Sequence, residues 1–143
     1  MDNSFTNRDD IAIGIQIPFG SGQSNFKLNY TTLDQARSNI INLLLTHKGE
    51  RFMQPEFGTN LRRFIFKPNT RTLESAIKTE LTSTISFWLP YVNLDDIQVT
   101  RSVQQIEDYT IAVSLTFSVS SDITEFKTVT FGFDSSGGVS VRG

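Results

Sequence analysis

A chain of 143 residues, 38% hydrophobic and 20% charged, has enough apolar material for one core and one domain but not for two. Its formal net charge of −2 supplies no overall basic field to hold nucleic acid or an anionic membrane. The absence of cysteine excludes disulfides, thiolate metal sites and a cysteine nucleophile.

Residues 1–10 are polar and read as a flexible N-terminal tail. They lack the basic and apolar regions of a secretory signal, and no apolar run nears the ~20 residues of a membrane span, so the expectation is a chain made and used in cytoplasm. Ile11, Ile13, Ile15, Ile17 and Phe19 alternate with small or polar residues until Pro18 interrupts them, predicting a short strand or extended arm. A flexible loop follows over 20–25, and Phe26, Leu28 and Tyr30 alternate again.

Thr32-Leu33-Asp34-Gln35 has the form of a capping box and predicts a helix start. Leu33, Ala36, Ile40, Leu43 and Leu44 continue it at helical spacing, and Lys48-Gly49 is the stop signal, which places His47 in the last turn. Gly49 to Gly58 reads as a structured loop, and 59–66 as one short helix with Thr59 as its cap. A longer helix fits Thr70 to Trp88 along the stripe Leu73, Ile77, Leu81, Ile85 and Trp88, and Pro90 ends it.

After Pro90 the period changes to two. Ile97, Val99, Arg101 and Val103 form one row; after a turn at 105–108, Tyr109, Ile111, Val113, Leu115, Phe117 and Val119 form the longest. Such alternation predicts an antiparallel sheet buried on one face. Ser120-Ser121-Asp122 turns the chain into a third strand, Ile123 to Phe133, and 137–143 is either a fourth short strand or a free tail. The fold class is therefore α+β: an N-terminal extended segment, two main helices, then a meander of three or four strands packed on them. One domain spans 1–143, mainly helical over 11–90 and β-sheet over 91–143.

Charge is unevenly spread. Residues 48–78 hold seven cations against three carboxylates, and residues 95–134 hold seven carboxylates against two cations, a division suited to docking on complementary neighbours. Enzyme machinery is sparse: His47 is the sole histidine, no phosphate loop exists, and Glu50 with Glu56 is the best carboxylate pair for a glycosidase. Each of these has a structural role open to it, capping backbone groups or pairing with Arg51, Arg62 or Arg63. Phe52, Phe57, Phe64 and Phe66 beside those arginines read as core before they read as base-stacking residues.

Thr46-His47-Lys48-Gly49-Glu50-Arg51, then Pro55-Glu56-Phe57-Gly58, Leu61 and Phe66, resembles the signature of the sheath-initiator family of contractile-tail baseplates. That family includes the lysozyme-like baseplate wedge proteins of large tailed phages and a counterpart in type six secretion baseplates. The resemblance covers roughly 11–133, with Asp108-Tyr109-Thr110-Ile111 similar to its central strand. The family's Glu-Pro-Arg falls on Leu89-Pro90-Tyr91, so only the proline is retained; the role of the charged pair is open here, with apolar contact by Leu89 and Tyr91 as the candidate replacement.

The resemblance implies a structural wedge subunit and no enzyme, about six copies around the tail tube, in a virion baseplate assembled in the host cytoplasm. Its implied partners are the tail sheath subunit and other baseplate wedge proteins, with no cofactor, nucleic acid or membrane. Wedge contacts are expected at Glu50, Arg51, Pro55, Glu56, Phe57, Leu89, Pro90 and Tyr91, and the first sheath ring is expected to extend the sheet by strand addition. The third strand is the candidate edge, at Glu125, Lys127, Thr128 and Val129, because its alternation is irregular and charged side chains guard its middle. Val99 on the first strand is the competing position. The alternative function is a carboxylate-dependent, lysozyme-like cell-wall glycosidase of the baseplate.

Overall fold

The structure, a computed structural model, describes residues 11–17, 26–65, 67, 71–105, 108–134 and 138–142. The expectations for the 1–10 tail, Pro18, Phe19, the 20–25 loop, Phe66, Thr70, the 106–107 turn and Gly137 lie outside these residues. So do those for the side chains of 101–110, Arg101, Val103 and Tyr109 among them.

β1 (Gly14–Ile15) and β2 (Leu28–Asn29) pair antiparallel as a short arm on α1 (Thr32–Leu45). The arm inverts the usual rule. Its small and polar positions face the helix: Gly14 lies so close to Gln35 that a Cβ would collide with that side chain, and Asn29 is buried. The Asn29 amide donates to Ile15 O at 3.2 Å, Gln35 Oε1 at 3.0 Å and Ser38 Oγ at 2.9 Å, leaving Ile13, Ile15, Leu28 and Tyr30 about half exposed.

Thr31, one residue before the expected start, caps α1. Its hydroxyl accepts from Asp34 N–H at 3.1 Å and donates to the Asp34 carboxylate at 2.7 Å, so the capping box is Thr31 with Asp34. The helix also ends before its expected stop. Thr46 turns extended, and its hydroxyl donates back to Asn42 O at 2.6 Å, so His47 lies beyond the helix in a parallel bridge with Thr59.

α2 (Arg62–Ile65) is one turn, and α3 (Arg71–Trp88) buries Leu73, Ile77, Leu81, Thr84 and Ile85. The meander follows: β3 (Val92–Gln105), β4 (Asp108–Val119), β5 (Asp122–Phe133) and β6 (Val139–Arg142), each antiparallel to the next. The last segment is thus a strand. β3 begins five residues earlier than its sequence row because a bulge at Asp95 changes phase, letting Val92 and Leu94 face the same core as Ile97 and Val99.

Ile111, Val113, Leu115, Phe117 and Val119 of β4, with Val129, Phe131 and Phe133 of β5, form the buried face of the sheet. α1 lies over β4 and β5, α3 contacts β3, and one cluster of buried side chains runs through all of them. The opposite face pairs Ser114 with Thr130 at 2.9 Å and Thr116 with Thr128 at 3.0 Å, hydroxyl to hydroxyl.

Two glycines with positive φ bracket the chain after α1: Gly49 at 90° and Gly58 at 116°. At Gly49 a Cβ would meet open space, whereas at Gly58 it would run into the Thr46 carbonyl. Gly49→Ala should therefore cost about 1 kcal/mol of backbone strain, and Gly58→Ala about 3 kcal/mol because a packed carbonyl must also move. Thermal melts of the two variants check this order; equal losses would mean that the carbonyl contact carries no energy.

Candidate functional site

Residues 46–60 fold into a loop whose backbone bonds are made internally. Thr59, expected to cap α2, instead ties the loop's end to α1: its N–H donates to Thr46 O at 2.9 Å and its hydroxyl to Leu44 O at 3.2 Å. Gly49 N–H closes the loop on Pro55 O at 2.7 Å, and Phe57 N–H donates to Gln54 O at 3.1 Å. Arg51 stacks over the Phe57 ring, 3.9 Å from its centroid, and donates to Asn42 Oδ1 at 3.3 Å. Phe57 in turn meets Trp88 edge-on at 5.1 Å, which holds the loop against the end of α3.

Of the residues expected to face wedge partners, Glu50, Pro55 and Glu56 are exposed, while Arg51 and Phe57 are half-buried against each other. The segment after α3 behaves differently. Leu89 is drawn into the core at 8% exposure, and the Tyr91 hydroxyl accepts from Asn39 Nδ2 at 2.7 Å, so only Pro90 of the three is exposed. Leu89 and Tyr91 thus make most of their contacts inside the molecule.

Phe52, expected in the core with the other aromatics, stands in solvent at 97% exposure, next to Met53 at 87%. The pattern gave no sign of this, since an aromatic between Arg51 and Pro55 follows no helical or strand period. The loop's tight closure, which leaves its tip no core to reach, shows only in the structure.

The two glutamates open into different clefts. Glu50 lines one of about 590 Å³ with His47, Lys48, Gly49, Arg62 and Arg63; Glu56 lines another of about 350 Å³ with Lys48, Ser83, Thr84, Phe87 and Trp88. Glu50 is also engaged, accepting His47 N–H at 2.9 Å. A glycosidase needs two carboxyls across one sugar ring, whereas these two line separate clefts. Among the described residues no group of three His, Asp or Glu side chains is placed to hold a metal ion.

The sheet has two kinds of edge. β3 is the first strand of the order, and no strand among the described residues lies outside it. At the other side β6 pairs only with Thr130 to Phe133, so among the described residues β5 has no outer partner from Asp122 to Val129. The third strand is therefore an edge over its first part and an interior strand over its second.

The ladder phase follows from one bond. Asp134 N–H donates to Gly138 O at 3.1 Å, so even-numbered β5 residues in the regular ladder point their N–H groups toward β6 and odd-numbered ones toward β4. Thr128 N–H then faces the open side. Carrying the alternation across β4 turns Val99 N–H to the open side of β3. The close hydroxyl pairs at Thr116–Thr128 and Ser114–Thr130 fit the narrower, non-hydrogen-bonded positions this phase requires.

Glu125 lies where the β4–β5 register breaks, between Phe117↔Lys127 and Val119↔Asp122, and Val129 is fully buried. Lys127 reaches across to the Asp34 carboxylate of α1. Burial pushes the Asp34 carboxyl up, but hydrogen bonds from Lys127 and Thr31 and the charges of Lys127 and Arg37 outweigh it, holding it below its ordinary 3.8. A depressed carboxyl stabilises the fold above that value, and the contribution is lost as pH falls through the folded-state pKa.

Comparison with known proteins finds one family and several structures of similar fold. The family model of baseplate wedge protein gp25 matches residues 32–123. A chain named as a tail lysozyme from Geobacter sulfurreducens is 23% identical, with a TM-score of 0.56 over 72% of this chain and 90% of that one. A chain of the postcontracted baseplate of pyocin R2 is 23% identical, with a TM-score of 0.55 over 71% and 97%. A chain of the anti-feeding prophage baseplate is 21% identical, with a TM-score of 0.61 over 73% and 82%. At these identities the likeness is one of fold. No curated protein matches significantly.

Two outcomes are expected of the loop. Phe57→Ala should cost about 1–3 kcal/mol, less than a fully buried ring, through loss of the Arg51 and Trp88 contacts; an unchanged melting temperature would contradict it. In a cell-wall hydrolysis assay, wild type, Glu50→Gln and Glu56→Gln should all be inactive, and hydrolysis by wild type that either amide abolishes would overturn the structural account of these carboxylates.

Proposed function

The chain belongs to the family of baseplate wedge protein gp25, and from that membership we propose that it is a structural subunit of a contractile-tail baseplate whose sheet edge starts the tail sheath by strand addition. The observation that carries the proposal is the outer side of β5: among the described residues it is paired with β6 only from Thr130 to Phe133, and Thr128 presents an outward N–H at the point where the ladder is still regular. An extended segment of the sheath subunit adds there through main-chain hydrogen bonds, with the hydroxyl-lined face left free. Lys127, held by Asp34, fixes this strand to α1, so the edge is presented on a braced element.

The mainly helical residues 11–90 dock onto other wedge proteins through the 49–58 loop, and 91–143 face the sheath, within one domain. About six copies around the tube, in the virion baseplate and assembled in the host cytoplasm, complete the reading. The rival glycosidase is disfavoured by the separate clefts of Glu50 and Glu56.

Proline tests the edge by removing one donor without changing charge. Thr128→Pro spares the β4 ladder, because that N–H points away from β4. It should give a folded protein that enters baseplates but leaves tubes without ordered sheath. Normal sheaths on particles carrying the variant would transfer the role to β3, where Val99→Pro is the equivalent change; normal sheaths with that variant as well would end strand addition as the mechanism.

A further inference from the structure

The 49–58 loop displays its least soluble side chains at its tip. Phe52 and Met53 are 97% and 87% exposed, although the loop beneath them is pinned by Gly49 on Pro55, by Arg51 on Phe57 and Asn42, and by Phe57 on Trp88. A floppy loop would fold such residues onto the nearest apolar surface; this one holds them out. Adjacent exposed Phe and Met on a rigid base have the character of interface anchors, which gain most when inserted into a preformed apolar pocket.

The clefts on either side hold Glu50, engaged by His47 N–H, and Glu56 beside Lys48, so the excess charge that remains to meet a partner is that of two arginines. Arg62 and Arg63 of α2 line the cleft beside the loop and are exposed, with no ion pair among the described residues. Lys48 stands in both flanking clefts, although it is paired with Glu80 at 3.4 Å. Resting on the baseplate reading above, we infer that Phe52 and Met53 insert into an apolar pocket of a neighbouring baseplate protein whose rim carries carboxylates that meet Arg62 and Arg63. A protein pocket fits better than nucleic acid, because a methionine offers no stacking face and the loop's other aromatic, Phe57, is already covered by Arg51.

The test uses the full chain in assembled tails. A photo-crosslinking phenylalanine analogue is placed at Phe52, tails are purified and irradiated, and the joined peptides are sequenced by mass spectrometry. The expected product joins this chain to a different baseplate protein at a peptide containing Asp or Glu. In parallel, a Phe52→Ala, Met53→Ala variant should melt like wild type, both side chains being exposed, yet be depleted from purified tails about tenfold or more. Arg62→Glu with Arg63→Glu should be depleted likewise. Crosslinks to the sheath, to a second copy, to nucleic acid or lipid, or none in tails that contain the chain, would overturn the inference and leave the baseplate reading intact, as would normal incorporation of the alanine variant. Absence of the wild-type chain from purified tails would overturn both.

Discussion

The sheet of this protein is buried on one face only, and the rest of the molecule is arranged around that constraint. Ile111 to Val119 of β4, at alternate positions, must leave water, and α1 and the segment around α3 cover them. A sheet covered on one face by helices can end in unpaired strands, because its edges stay in solvent and water satisfies their N–H and C=O groups. Among the described residues the meander order places β3 outermost on one side, and on the other β6 pairs with β5 only from Thr130 to Phe133. Both open edges are thus by-products of how the core is made. The same edges would be a liability in a free monomer and are an asset in a subunit whose surroundings supply the missing strand.

The loop after α1 obeys a second constraint, which is geometric. Gly58 passes against the Thr46 carbonyl while Thr59 bonds back to Leu44 and Thr46, so the chain returns to the helix end it has just left. Of the residues between, Phe57 packs on the core and the others stay outside it. Glu50 serves His47 N–H, Arg51 covers Phe57, and what cannot be used internally, Phe52 and Met53, is displayed. A display of this kind suits assembly better than catalysis, which needs groups converging on one point.

Much of the fold was legible in the sequence, because it rests on periodicity. The β4 row, the α3 stripe with Pro90 after it, and the meander all follow from spacings of two and of three to four. The misses have local causes. Two adjacent threonines both satisfy the sequence form of a cap, and only geometry selects Thr31. The Asp95 bulge shifts the β3 phase, hiding Val92 and Leu94 from an alternation count. β6 halves the edge expected of β5, since strand pairing is a tertiary fact that no local pattern contains. The arm exposes its apolar row because Gly14 and Asn29 make a tighter contact with α1 than isoleucines would allow. In the region of the candidate site, the loop and the third strand were legible as structural elements, whereas the inward turn of Leu89 and Tyr91 and the outward turn of Phe52 and Met53 were not.

The central claim is that an open strand edge of this chain receives the sheath. Residue-resolution electron microscopy of intact tails tests it most directly, by locating the chain and tracing what lies beside its sheet. The account predicts this chain at the baseplate under the first sheath ring, with an extended sheath segment hydrogen-bonded along β5 at Thr128. A chain in that place with both β3 and β5 facing solvent, touching sheath through side chains alone, would contradict it.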